Sequence, residues 1–180
     1  MKRDEFLKRK IDRYLFKKQL FKNQDYTKLG NPFLAKSRKN FTVANLLFKI
    51  SEKEDMKKQL NLAHGFETYE WVIIVSYYSM YTSALAALAK LGFKSKSHAA
   101  TIAVLEYHYV QNGKILESRH IHKLSKAYVI SEELITKLIK TKTKRETAQY
   151  DATPAISREN AKTALEDAEE FITKIEEILS

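Results

Sequence analysis

The chain has 180 residues, enough for one domain that buries roughly 70% of its unfolded surface. It contains no cysteine, four glycines and two prolines, which excludes disulfides and thiolate metal sites and favours long helices over many short strands. The net charge of +10 lies in residues 1–60, where 17 Lys and Arg face 7 Asp and Glu, whereas residues 61–180 hold 15 of each. We interpret this basic region either as a solvated helix face or as a surface that attracts phosphate or acidic protein.

The first third of the chain predicts two amphipathic helices separated by a turn. Apolar residues recur at helical spacing over residues 3–22, with lysines between them. Gly30 and Pro32 then interrupt the pattern in the stretch 27–32. A second helix is predicted over residues 33–62, with its apolar residues facing inward, and Gly65 follows as a stop.

The segment YEWVIIVSYYSMYTSALAALAKLGF, residues 69–93, predicts the central helix. Large residues recur at intervals of three and four and predict one packed seam: Trp71, Ile74, Tyr78, Tyr81, Leu85 and Leu88. Small residues at the same spacing form a second seam: Ser76, Ser79, Ser83 and Ala86. A large stripe beside a small one lets neighbouring helices approach on more than one side, which is typical of the middle of a bundle.

The same segment is long and apolar enough to be weighed as a membrane span. No charged residue occurs from Trp71 to Ala89, but the stretch carries seven hydroxyl side chains, each of which would need a partner in lipid. The interpretation is therefore a buried core helix and no membrane association. Together with the missing cysteines, this favours a cytoplasmic protein.

Three further helices are predicted in the second half. Ser97 and Gly113 bound the first of them as N-cap and stop. Residues 114–130 show no clear period, and Ser131, followed by two acids, is predicted to begin the next helix. Ser157 begins the last one. The fold class is therefore an all-α bundle in one domain, residues 1–180, with a basic helical extension over 1–32 and the bundle over 33–180.

The five histidines form no recognisable motif. His120 and His122 are two residues apart, which on a helix directs them to different sides, and no third ligand is near them in sequence. His98 follows the predicted N-cap and is interpreted as a residue that bonds back into the fold. No catalytic triad, phosphate loop or paired zinc-ligand pattern occurs. The sequence predicts no metal site and no cofactor.

The lysine-rich tract 137–145 is the main cationic feature of the second half, and it ends at Lys144 and Arg145. Its charge either faces phosphate or pairs with the final helix, which sums to −4. Tyr150 lies five residues after Arg145, so the two share one corner only if the helix ends between them, which Pro154 favours. A guanidinium and a phenol are suited to holding a phosphate and a nucleobase, but neither is a general base that titrates near neutral pH.

These residues resemble the signature of small prokaryotic HEPN-domain proteins (higher eukaryotes and prokaryotes nucleotide-binding). In that family a Trp precedes a Tyr-Tyr and a Met-Tyr pair, an Ala/Leu-rich turn, a Gly and a Ser-His. The matching positions here are Trp71, Tyr77, Tyr78, Met80, Tyr81, Gly92, Ser97 and His98. The closing stretch RETAQYD and the final helix also resemble the family, so that the likeness covers about residues 35–180.

The resemblance implies an up-and-down bundle of four to five helices that pairs as a homodimer, here with an extra basic N-terminal helix. Many members are toxins encoded beside a minimal nucleotidyltransferase, and active members are metal-independent ribonucleases that use an Arg followed, four to six residues later, by a His. Arg145 matches that Arg, but Tyr150 stands where the His would be, and Thr82 occupies another position that often holds His.

Two functional hypotheses follow, and a plain scaffold without a ligand stays open beside them. The first is a non-catalytic module that binds nucleotide or RNA through Lys144, Arg145 and Tyr150, or docks a nucleotidyltransferase that modifies the Tyr150 hydroxyl. The second is a divergent endoribonuclease in which Arg145 stabilises the cleaved phosphate and His98 replaces the missing base. The missing His favours the first hypothesis, so we expect no enzymatic activity.

Overall fold

The structure is a computed structural model that describes residues 2–113, 115–144 and 156–180, without the side chains of Lys2 and residues 137–144. Seven α-helices and one two-stranded ribbon occur in these ranges. The elements in chain order are α1 (Lys2–Phe16), β1 (Leu20–Lys22), α2 (Gly30–Glu52), α3 (Glu54–Gln59), α4 (Tyr69–Lys90), β2 (Phe93–Ser95), α5 (His98–Leu105), α6 (Ser118–Lys144) and α7 (Arg158–Leu179). The prediction of an all-α bundle with an extra basic N-terminal helix is confirmed.

The helix α4 is the centre of the bundle, and α2, α6 and α7 pack around it. Its predicted small seam is confirmed, because all four of those residues are buried. The small side chains allow α2 to approach closely: the Ser37 hydroxyl donates to the backbone oxygen of Ser79 at 2.8 Å, and Ala44 is completely buried. Close helix approach at a stripe of small residues therefore sets the α2–α4 contact.

The predicted large seam of α4 is wrong in part. Ile74 and Leu88 are buried, but Trp71 is 50% exposed and Tyr78 is 43% exposed. Because α4 is apolar on nearly every side, its sequence period does not show which stripe faces outward. Among the described residues, α2, α6 and α7 cover the other faces of α4, and the face with Trp71 and Tyr78 stays exposed.

The first predicted helix is shorter than expected and is followed by a strand. α1 ends at Phe16, and Lys18 adopts a left-handed conformation with φ of 54°. The chain then forms β1, which pairs antiparallel with β2 in the register Leu20↔Ser95, Phe21↔Lys94 and Lys22↔Phe93. Burial of Leu20 fixes which face of the ribbon turns inward. The last part of the helix predicted over residues 3–22 is thus replaced by a strand that pairs with a distant segment of the chain.

Two other predicted boundaries also differ. The helix expected over 33–62 divides at Lys53, which is extended, into α2 and α3. Ser131 does not begin a helix: α6 starts at Ser118 and Ser131 lies buried within it. The caps are confirmed at Ser97 and Ser157, whose hydroxyls accept hydrogen bonds from backbone N–H groups three residues later.

The burial of α4 decides between a membrane span and a core helix. α4 is the one helix in the described ranges that is long and apolar enough to cross a bilayer, and 78% of its most apolar window is buried inside the protein. The side chains that pack on it come from the other helices of the bundle. α4 is therefore the core helix of a helical domain, as predicted.

Candidate nucleotide-binding site

The predicted phosphate corner lies at the connection between α6 and α7. Lys144 is the last residue of α6, and α7 begins at Arg158. Arg145 and Tyr150 fall outside the described residues, as does the side chain of Lys144. The assignment of these three residues to a binding corner stays a prediction. The structure describes the residues around the end of α6 and the start of α7.

The start of α7 is tied to two other helices by a polar cluster. Arg158 donates to a Glu52 carboxylate oxygen at 2.6 Å, and the Tyr69 hydroxyl donates to the other oxygen at 2.8 Å. Burial acts to raise the pKa of Glu52, but the hydrogen bonds from Tyr69 and Arg158 outweigh it and hold the pKa below its ordinary value. Burial and the same carboxylate raise the pKa of Tyr69 to about 12. A neutral phenol and a charged pair therefore anchor this end of the bundle at pH 7.

His98, the candidate base, lies in a cluster of tyrosine rings at the start of α5. Its ring stacks on Tyr128 of α6 with centroids 4.1 Å apart and planes 12° apart. The rings of Tyr81 and Tyr77 lie at 5.8 and 6.1 Å. Both ring nitrogens are buried, and neither has a hydrogen-bond partner among the described residues.

This environment determines the protonation state of His98. Burial lowers its pKa from 6.5 to about 4, because the imidazolium ion would lose its hydration among the aromatic rings. Burial also raises the pKa of Tyr77 and Tyr81. At pH 7 His98, Tyr77 and Tyr81 are therefore neutral. A base with a pKa near 4 accepts a proton poorly at that pH, and the rings hold its nitrogens away from solvent.

Within one chain, His98 lies far from the end of α6. Tyr128, the ring on which His98 stacks, precedes Lys144 by sixteen residues on the continuous helix α6. At 1.5 Å per residue this corresponds to about 24 Å. His98 is therefore remote from the backbone of Lys144, the last residue of α6.

One functional-looking histidine has a structural role that the sequence did not indicate. His120 is fully buried and accepts a hydrogen bond from the Glu117 N–H at its Nδ1, which leaves the hydrogen on Nε2 to be donated to Glu170 of α7 at 3.1 Å. Lys123 binds the same carboxylate at 2.6 Å and lowers the pKa of Glu170. His122 is exposed on the other side of the helix, as the two-residue spacing predicted.

In the described part of the chain, acidic residues of α7 pair with basic residues outside the lysine-rich tract. Asp167 and Glu170 bind Lys123, and Glu176 forms two hydrogen bonds with Arg38 of α2. The side chains of the tract itself lie outside the described residues, so its predicted pairing is not tested. Over the described ranges, no three histidine or carboxylate groups lie close enough to hold a metal ion.

Comparison with known families identifies the bundle. The family model described as HEPN domain matches residues 44–178, most of the chain but not α1 or β1. A search of curated proteins finds no match. The match covers α4, α5 and α6 in full and α7 except its last residue, and therefore both the tyrosine cluster around His98 and the connection that carries Arg145 and Tyr150.

Proposed function

Because the chain belongs to the HEPN-domain family, we propose that it is a non-catalytic module that binds nucleotides or RNA. Family membership associates it with nucleotide binding, RNA binding or ribonuclease-like activity. The proposed contacts are the ammonium of Lys144, the guanidinium of Arg145 and the phenol of Tyr150. Two cations attract phosphate, and an aromatic ring offers a face on which a nucleobase stacks.

The enclosure of His98 is the observation that carries the non-catalytic part of the proposal. The sequence has Tyr150 where an active member has its general base, and His98 was the substitute considered. His98 has a pKa of about 4 and lacks exposed ring nitrogens. Cleavage through the 2′-hydroxyl needs a base that is both accessible and matched to neutral pH, and this residue has neither property.

The proposed working state is a cytoplasmic homodimer. The exposed stripe of α4, which contains Trp71 and Tyr78, supports this, because aromatic residues are enriched in protein–protein interfaces. In the toxin–antitoxin arrangement common in this family, a minimal nucleotidyltransferase would be the second partner, and the Tyr150 hydroxyl would be its acceptor.

The binding corner is tested by removing the guanidinium. Fluorescence anisotropy at low salt would measure the affinity for a labelled RNA oligonucleotide and, in competition, for ATP. We expect Arg145→Ala to weaken binding about 10-fold, the equivalent of one charge-assisted contact of about 1.4 kcal/mol. Lys126→Ala, at an exposed lysine of α6 that precedes Lys144 by 18 positions, is the matched control and should leave binding unchanged. Equal affinities of the wild type and Arg145→Ala would contradict the assigned corner.

The alternative function is a divergent metal-independent endoribonuclease, and it is favoured by the Arg at the family's Arg position. It needs His98 and Arg145 to meet, in the same chain or between two copies of it. A cleavage assay on the same RNA, with EDTA present, separates the two functions. Turnover that disappears in Arg145→Ala would replace the binding proposal with this one.

A further inference from the structure

The basic charge of the chain lies mainly outside the part that matches the HEPN family. Residues 1–43 hold 13 Lys and Arg against 4 Asp and Glu, a net charge of +9. We propose that the turn before β1 and the ribbon formed by β1 and β2 carry a binding surface for single-stranded nucleic acid, separate from the Arg145 corner and independent of it. The ribbon surface, as we name it, consists of Phe16, Phe21, Tyr26, Lys94 and Lys96.

Two lysines of the ribbon surface lie over aromatic rings. The Nζ of Lys96 is 4.9 Å from the centroid of Phe21, and that of Lys94 is 5.7 Å from Tyr26. Lys22 lies on the opposite face of the ribbon, where its Nζ is 5.2 Å from its cross-strand neighbour Phe93, so it is not part of this surface. Each ring attracts the ammonium above it and restricts where the charge lies. The charges of Lys94 and Lys96 are exposed and positioned before any ligand arrives, which lowers the entropic cost of binding.

Acidic groups do little to neutralise this surface. Residues 16–29 and 93–96 together contain six lysines and a single acid, Asp25. The Asp25 carboxylate is already paired with Lys28 at 3.3 Å. A field of one sign over a small area attracts a polyanion and repels cations, and it weakens as salt is added.

The turn before β1 adds an uncovered ring to the same surface. Phe16 is 87% exposed and is followed directly by Lys17 and Lys18. The backbone oxygen of Gln19 accepts a hydrogen bond from the Lys96 N–H at 2.9 Å, so the turn lies beside the end of β2. An exposed ring next to several ammonium groups is suited to stacking with an unpaired base while the lysines contact the backbone phosphates.

The packing of α1 favours a nucleic acid over a membrane. An amphipathic helix that binds lipid needs a continuous apolar face, but the apolar face of α1 is used inside the fold, where Leu7, Ile11 and Tyr14 are buried. Its two exposed aromatic residues, Phe6 and Phe16, are ten positions apart, or about 15 Å along the helix. Scattered rings among lysines are less suited to a lipid surface than to separate bases on a strand.

The test uses the full chain, an unstructured fluorescent oligouridine and a salt titration. The double variant Lys94→Ala, Lys96→Ala should bind at least 10-fold more weakly. Its slope of log affinity against log salt should be shallower by about 1.4, since each phosphate contact on a single strand contributes about 0.7. Phe16→Ala should weaken binding about fivefold or more with the slope unchanged.

The control is a second double variant with the same loss of charge, Lys39→Ala, Lys49→Ala, which are exposed lysines on α2. It should bind within about twofold of wild type. The proposal is overturned if the two double variants bind alike or if the wild type does not bind the oligonucleotide. Binding to phosphatidylserine vesicles without binding to the oligonucleotide also overturns it, in favour of a membrane surface.

Arg145→Ala separates this proposal from the binding corner. If Arg145→Ala weakens binding and the ribbon variant does not, the corner is supported and the ribbon surface is refuted. The reverse result supports the ribbon surface and refutes the corner. Circular dichroism of each variant should match wild type, because every substituted lysine and Phe16 is exposed.

Discussion

Replacing His98 with phenylalanine tests the tyrosine cluster and the proposed lack of catalysis in one variant. Phenylalanine keeps an aromatic ring to stack on Tyr128 and removes two buried nitrogens that have no partner among the described residues. At pH 7 we expect the free energy of unfolding to change by less than about 1.5 kcal/mol, because the ring volumes are similar and no hydrogen bond of the described residues is lost.

At acidic pH the wild type should lose stability that the variant retains. The pKa of His98 falls from 6.5 to about 4 on folding, so between these values the unfolded chain binds more protons than the folded one. The free energy of unfolding therefore rises with pH in this window. Acidification removes the contribution to stability that comes from the lowered pKa of His98. For these two values, the loss from pH 7 to pH 5 is about 2 kcal/mol.

The measurement is thermal and urea unfolding by circular dichroism at pH 5, 6 and 7. The variant should lose about 2 kcal/mol less than the wild type between pH 7 and pH 5, which corresponds to roughly 4–8 °C in Tm for a chain of this size. His122→Phe, a substitution at an exposed histidine of α6, is the matched control and should behave as the wild type does. Identical pH dependence in all three proteins would show that the imidazole is not desolvated.

The same variant has a functional readout. If the wild type cleaves RNA and His98→Phe does not, while both fold equally well at pH 7, then His98 is a base and the non-catalytic proposal fails. Unchanged RNA binding and no cleavage in either protein is the expected result.

Three further predictions concern the bundle. Trp71→Glu should convert a dimer into a folded monomer, because the ring is half exposed on α4; light scattering checks this, and a wild type that is already monomeric contradicts it. Gly65→Ala should lower the free energy of unfolding by about 1 kcal/mol in urea unfolding, because φ is positive at this position. Gly92→Ala should lower it by more, because its φ is also positive and the added Cβ would lie 3.2 Å from a backbone oxygen. His120→Ala should destabilise the protein by about 2–4 kcal/mol and His122→Ala by less than about 0.5, in thermal unfolding, because only the first is buried and hydrogen-bonded.

Local sequence determined the central helix and the starts of two other helices. The apolar spacing of residues 69–90 predicted the central helix, and the serines at 97 and 157 predicted two caps that the structure contains. These features depend on residues within one or two turns of each other, so a pattern in the sequence is enough to identify them. The resemblance to the HEPN family rested on the same segments and is confirmed by the family match.

Tertiary packing decided what the local pattern left open. β1 pairs with β2, which lies about seventy residues later in the chain, and no residue near Leu20 in the sequence indicates β2 as its partner. The exposure of Trp71 depends on which faces of α4 the other helices cover, since α4 is apolar on nearly all sides. The enclosure of His98 depends on Tyr128, thirty residues away, and this contact made a candidate base into a neutral, desolvated ring. Contacts between distant segments follow from the fold as a whole, which is why the sequence pattern predicts a helix but not the segments that the helix contacts.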